Sequence, residues 1–281
     1  MNQPTHAWLA VEAYRKIERA AATSEGKKKK LDGLAALLGK NLRDVVVAAW
    51  LPDSLIKDMK YGHVFKNSVY EGDQKARFIL HKDELTKNLS PDFLTPGLAF
   101  GRIDPSWWGL PYRVKQDGGH LPARVNALCQ TARDMLKMGD KDVVKLTGIK
   151  LDGSKIIADA VLSSPRDIAI MMWMLSHYVA DSHMPFHSDN RILASSDTKH
   201  KAHSGIETLW GKQVPALFKA KAILNKTPKE ILAAQPPKGS KFAGIDFGQA
   251  IGALVNSGDP WKEAVYLCRM GFAVSFAMIP P

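Results

Sequence analysis

The chain has 281 residues, of which 45% are hydrophobic. That is too apolar for a disordered polymer and enough for one sizeable core. The formal net charge of +11 favours polyanionic partners, either nucleic acid or the surface of an anionic membrane. Cys129 and Cys268 are too few for a disulfide scaffold or a four-cysteine zinc site.

Taken in chain order, Ala7 to about Ala22 is expected to be helical, with Leu9, Ala13 and Ile17 at helical spacing. Lys27 to Lys30 reads as an exposed basic loop, and Leu31 to Ala49 as a second helix. Asn88 to His120 carries four prolines and several glycines around Trp107, Trp108 and Tyr112, which predicts a long loop rich in aromatics. Pro122 to Lys137 should be helical, with proline in its first turn. Val144 to Leu162 fits a short β-hairpin around Asp152-Gly153. Further helices are expected from Lys199 to about Lys221, over Lys229 to Ala234, over Phe247 to Val255 and over Pro260 to Met278. The pattern is that of one all-α domain over residues 1–281. No apolar run reaches the roughly 18–20 residues that span a bilayer, so no transmembrane segment is expected. The first residues lack a basic head followed by an apolar stretch. The default expectation is therefore a cytoplasmic protein, or an extracellular or periplasmic one if an upstream signal has been removed.

The most informative stretch is a helix expected to begin at Ser164 and Pro165 and to end near Ser182 or His183, ahead of Pro185. Its apolar residues run nearly all round, which marks a buried helix. His177 and Asp181 lie four residues apart on one face near its C-terminus. A buried carboxylate at the negative end of a helix dipole needs a partner. Either His177 itself or a divalent cation satisfies that need. His187 follows past Pro185, and His203 and Glu207 form a second pair four residues apart. Imidazole nitrogen and carboxylate oxygen are the donors zinc accepts.

HYVADSHMPFH followed by HSGIE resembles the metal-binding core of the zinc-dependent bacterial phospholipases C. The fungal and plant single-strand-specific nucleases share that fold, with a His-x3-Asp where this chain has His203-x3-Glu207. The upstream segments WLPD with Asp53, YGHVF with His63 and THAW with His6 match in order and context. The resemblance implies three zinc ions, and at least two. Asp53, His63, His177 and Asp181 would hold the first, and His187, His203 and Glu207 the second. His6 and Asp181 would hold the third, completed in the family by the amine and carbonyl of an N-terminal tryptophan. Residue 1 here is methionine. The chelating atoms belong to the backbone, so Met1 is expected to replace that tryptophan.

The implied activity is hydrolysis of a phosphodiester, with a metal-bridging water attacking phosphorus and Asp53 serving as general base as well as ligand. Glu207 in the second pair leans towards a phospholipid substrate over single-stranded nucleic acid. Trp107, Trp108 and Tyr112 could form a base-stacking platform, a lipid-facing rim or the core of their own loop. A non-catalytic alternative is a basic nucleic-acid-binding protein with structural zinc. His183 is expected to face away from the ligands.

Overall fold

A computed structural model of the chain describes residues 2–28, 30–58, 61–69, 114–138, 143–149, 155–161, 164–190, 196–219, 221–240 and 258–278. The architecture is mainly helical. Helix α1 spans Gln3–Ala21. It starts four residues ahead of the predicted Ala7, because the Asn2 side chain accepts the backbone N–H of Thr5 at 3.2 Å and Pro4 sits in the first turn. The basic run expected to be a loop enters a short helix, α2 (Ser24–Lys28).

Leu31 to Ala49 is not one helix. Helix α3 (Leu31–Lys40) stops at Asn41, whose amide donates back to the Leu37 carbonyl at 2.8 Å and competes with the helical ladder. A 3-10 turn, Leu42–Asp44, then leads into α4 (Val45–Ala48). A π-helical turn, Pro52–Ile56, follows and is closed by Lys57 N–H on the Pro52 carbonyl at 2.7 Å. Such turns cluster at functional sites.

Two small antiparallel sheets accompany the helices. Strands β1 (Lys66–Val69) and β2 (Val114–Gly118) pair with Val69 opposite Val114. The all-α expectation omits this pair, and the end of the predicted long loop, 114–118, is a strand. The remainder of that loop, with Trp107, Trp108 and Tyr112, lies outside the described residues. Strands β3 (Val143–Ile149) and β4 (Lys155–Val161) form the expected hairpin, although its Asp152-Gly153 turn also lies outside them.

Between the sheets runs α5 (Leu121–Met138), and the central helix α6 spans Pro165–Ser182. Ser164 and Asp167 cap α6 reciprocally, the Asp167 backbone N–H on Ser164 Oγ at 3.2 Å and the Ser164 N–H on Asp167 Oδ2 at 3.0 Å. Pro185 ends it and opens α7 (Pro185–Ser188). Helix α8 (Ser196–Gln213) stops short of the predicted Lys221, because Pro215 follows it and the chain continues as 3-10 turns at Ala216–Lys219 and Lys221–Asn225. Helices α9 (Pro228–Ala233) and α10 (Pro260–Met278) complete the described elements. The helix predicted over 247–255 lies outside the described residues. No helix among them is long and apolar enough to cross a membrane.

Helix α6 is buried from two sides. Its residues Ala169 and Trp173 pack with Trp8, Val11 and Tyr14 of α1 and with Leu38, Val45 and Val46 of α3 and α4. Tyr178 packs with Leu121, Val125 and Leu128 of α5 and with Val265 and Cys268 of α10. A third apolar group, Met184 and Phe186 with Leu9, Ala202 and Ile206, closes the C-terminal end of α6. The last turns of α6 are thereby held against α1, α7 and α8, which carry four of the other candidate ligands.

Candidate metal centre

The eight described candidate ligands come from several separate places in the chain. His6 projects from α1, and Asp53 from the π-helical turn. His63 lies in the turn before β1, which is tied down by His120 N–H on the Tyr61 carbonyl at 2.7 Å and Phe65 N–H on the His187 carbonyl at 3.2 Å. His177 and Asp181 sit in the last turns of α6, His187 in α7, and His203 and Glu207 in α8. The start of α1 meets α8 where Asn2 Nδ2 donates to the Glu207 carbonyl at 3.4 Å.

Asp181 organises the arrangement. Its Oδ2 lies 2.7 Å from His63 Nδ1 and 3.2 Å from His177 Nε2. Asp53 Oδ1 is 3.6 Å from the same two nitrogens. The other oxygen, Asp181 Oδ1, faces the opposite way, 3.6 Å from His6 Nε2 and 3.5 Å from His187 Nδ1. Farther out, His203 Nε2 and Glu207 Oε1 are 2.9 Å apart. Donors about 2.0–2.2 Å from one tetrahedral zinc ion stand roughly 3.3–3.6 Å from each other. Most of these separations fall in or just below that range. Three groups could each hold a metal ion: His6, Asp53 and His177; His63, His177 and Asp181; and His187, His203 and Glu207.

Two further observations fit a cation. His177 Nδ1 is 2.7 Å from the Ala49 carbonyl, which holds an N–H there and turns Nε2 to the cluster. The Ala49 carbonyl is available because α4 has ended at Ala48. His6 stacks on His177, with ring centroids 3.7 Å apart, and its side chain is fully buried. Neither His6 ring nitrogen finds a hydrogen-bond partner among the described residues. A buried imidazole without a partner is costly unless a ligand claims it.

The protonation states of His6, His187, Asp181 and Glu207 point the same way, and Asp53 and His63 are shifted in the opposite sense. Burial pushes the pKa of His6 well below its ordinary value, assisted by the neighbouring His177. Burial also takes His187 down to about 3. Burial works to raise the Asp181 carboxyl, but His187, His177, His63 and His6 together hold it well below the usual carboxylate range. Glu207 is likewise held down at about 2, against burial, by its hydrogen bond from His203. Burial raises Asp53. The pKa of His63 is raised: burial opposes its charge, and the hydrogen bond and charge of Asp181 outweigh that. Neutral imidazoles around ionised carboxylates are the forms that bind divalent cations.

No family model, curated protein or solved structure matches the chain. The site therefore stands on its own residues. Every predicted side-chain ligand is brought into one of the three groups, and Met1 lies outside the described residues. His187 reaches Asp181 as well as His203 and Glu207, which the sequence spacing does not imply. His183 turns away and places Nδ1 2.8 Å from the Val179 carbonyl. One contributor escapes sequence reasoning: the Ala49 carbonyl, being backbone, has no signal at all.

Proposed function

We propose that the chain is a zinc-dependent hydrolase of phosphodiesters, of the kind found in the zinc-dependent phospholipases C and single-strand nucleases. The observation that carries this reading is the two-sided placement of Asp181. One oxygen faces His63 and His177, and the other faces His6 and His187. A plain histidine–aspartate pair would need one imidazole at this carboxylate, and here four converge on it.

In this proposal Asp53, His63, His177 and Asp181 hold one zinc ion, and His187, His203 and Glu207 a second. His6 and Asp181 hold a third, which the Met1 backbone completes. Bound zinc would supply a lowered water pKa near neutrality and neutralisation of phosphate oxygens. The chain's own residues then divide the remaining work. Asp53 accepts the proton that water loses, a duty suited to a carboxyl whose pKa burial has raised. The oxygen of that water forms the new bond to phosphorus, and the opposite phosphorus–oxygen bond breaks with its electron pair leaving on the departing alkoxide, which becomes the alcohol by taking up the proton that Asp53 received. The buried wall formed by His6, His177 and Asp181, all at most 1% exposed, keeps bulk water from that side.

Glu207 at the end of the second pair favours a phospholipid substrate, and the net charge of +11 suits an anionic interface. The test is zinc content by mass spectrometry together with hydrolysis of bis-p-nitrophenyl phosphate, phosphatidylcholine and single-stranded DNA at one zinc concentration. The proposal expects two to three zinc ions per chain and cleavage of the phospholipid. Cleavage of DNA alone moves the assignment to the nuclease branch. Stoichiometric zinc with no hydrolysis of any of the three leaves a structural metal protein and overturns the enzymatic reading.

A further inference from the structure

Behind His63, on the side away from Asp181, lies a second carboxylate that the metal-centre reading does not use. Asp58 Oδ1 is 3.0 Å from His63 Nε2. Asp58 is largely buried, and its side chain is fixed from three directions. Tyr178 of α6 donates its hydroxyl to Oδ1 at 3.0 Å. The Arg124 guanidinium of α5 approaches Oδ2 at 2.7 Å. Gly62 leaves the space the carboxylate fills, since a Cβ there would lie 1.9 Å from Asp58 Oδ2. The Asp58 carbonyl meanwhile accepts the N–H groups of Tyr61 and Gly62 at 3.0 and 2.8 Å, which makes the turn that delivers His63. Of these contacts that of Tyr178 is a hydrogen bond, and those of His63 and Arg124 are close electrostatic contacts.

We propose that Asp58 is the positioning residue of His63, holding the proton on Nε2 so that Nδ1 faces the metal cluster. This rests on the metal-centre reading above. The reason is electrostatic. A neutral imidazole carries one proton, and a carboxylate 3.0 Å from Nε2 repels a lone pair there and stabilises an N–H. On the other side Asp181 Oδ2 lies 2.7 Å from Nδ1 and competes for the same proton, so a cation on Nδ1 would free that lone pair and leave the N–H on Nε2 facing Asp58. The same carboxylate makes the imidazole a stronger donor towards a cation. The two histidines that flank Asp181 Oδ2 are thus oriented from behind by different acceptors, His177 by the neutral Ala49 carbonyl and His63 by the charged Asp58. The local backbone suits this role. Asp58 reaches His63 from within the same turn, and the glycine between them is the residue whose side chain would block it.

A purely structural role, in which Asp58 only ties its turn to α5 through Arg124, makes a different forecast. The test compares Asp58→Asn, Gly62→Ala and Arg124→Gln with the unaltered chain, using cobalt(II) as a spectroscopic probe of the metal site. Positioning predicts roughly 10- to 100-fold weaker cobalt binding in Asp58→Asn and an altered visible spectrum. Gly62→Ala should show the same spectral change, and Arg124→Gln should keep the unaltered spectrum and bind cobalt within a few-fold of the unaltered chain. Long-range proton–nitrogen spectra of the metal-free protein at alkaline pH should show His63 shared between its two tautomers by Asp58 and Asp181, and Asp58→Asn should move the proton to Nδ1. Unchanged cobalt affinity, spectrum and tautomer in Asp58→Asn would overturn the proposal. Equal losses in Asp58→Asn and Arg124→Gln, with the tautomer unmoved, would assign Asp58 to the structural role and overturn it as well. An unaltered chain that takes up no cobalt sinks the metal-centre reading instead, while the tautomer measurement still reports on Asp58.

Discussion

Replacing Asp181 by asparagine keeps the size of the side chain and removes its charge from a point within 3.6 Å of four imidazoles. If both oxygens serve bound cations, the loss is felt mostly in how strongly metal stabilises the fold. Free zinc at 100 times its dissociation constant adds about 2.7 kcal/mol to the stability of the native state. In a protein of this size that raises Tm by roughly 5–10 °C. Removing even a supporting residue of a metal site weakens affinity by roughly 10- to 100-fold, and Asp181 is proposed as a direct ligand. At the upper figure the same zinc concentration equals the variant's dissociation constant and adds about 0.4 kcal/mol, a shift of roughly 1–2 °C. Differential scanning fluorimetry with zinc and with chelator measures both shifts. The difference between the two conditions is the readout, so any change in the metal-free Tm of the variant cancels. A zinc-induced shift in Asp181→Asn as large as that of the unaltered chain would refute the placement of this carboxylate at the centre of the cluster.

Acid should destabilise the metal-free protein. The folded pKa of His187, about 3, lies below the ordinary histidine value, so between them the unfolded chain holds the extra proton and stability falls with pH. From pH 7.5 to 5.5 this residue alone accounts for about 1.4 kcal/mol. His6 acts in the same direction. His63, whose pKa is raised, acts in the opposite one: its contribution is present below its unfolded pKa and fades as pH rises through the folded value. Urea denaturation in chelator at the two pH values should show the net fall, and greater stability at pH 5.5 contradicts the protonation states assigned. Ser164→Ala removes the cap of α6 and should cost about 1 kcal/mol in chemical denaturation, with zinc stoichiometry unchanged. His183→Ala should leave metal content as it is, because its ring points to the Val179 carbonyl, and a lost metal ion would place that ring in the cluster.

The legible part of the fold was the part governed by local rules. Ser164, Pro165 and Pro185 bounded α6 to within a residue, and the short helix expected over Lys229 to Ala234 lies one residue earlier, as α9. The break at Asn41 was not legible, because the apolar spacing from Leu34 to Val45 continues through it and only the side-chain bond to Leu37 shows the interruption. Strand β2 was hidden for a related reason. Its residues Val114 to Gly118 are mostly polar and end on glycine, and their pairing with β1 is a long-range event that no local pattern encodes. At the candidate site, pairs four residues apart on one helix were readable from spacing. The convergence of His6, Asp53 and His63 on Asp181 came only from resemblance and from the fold. The supports behind the histidines, one a backbone carbonyl and the other an aspartate in a turn, carried no pattern to read.

The burial of α6 on two sides also separates the ligand groups by how easily they come apart. His177 and Asp181 are at most 1% exposed and hang from the helix around which both main cores are packed, so their geometry is lost only when the core opens. His203 and Glu207 are 28% and 26% exposed on α8. Local opening of a more exposed helix costs less than global unfolding. Ions held by the two groups would accordingly leave on different clocks. A chelator should strip the outer one within a fast phase, and the inner one at the pace of the protein's own unfolding.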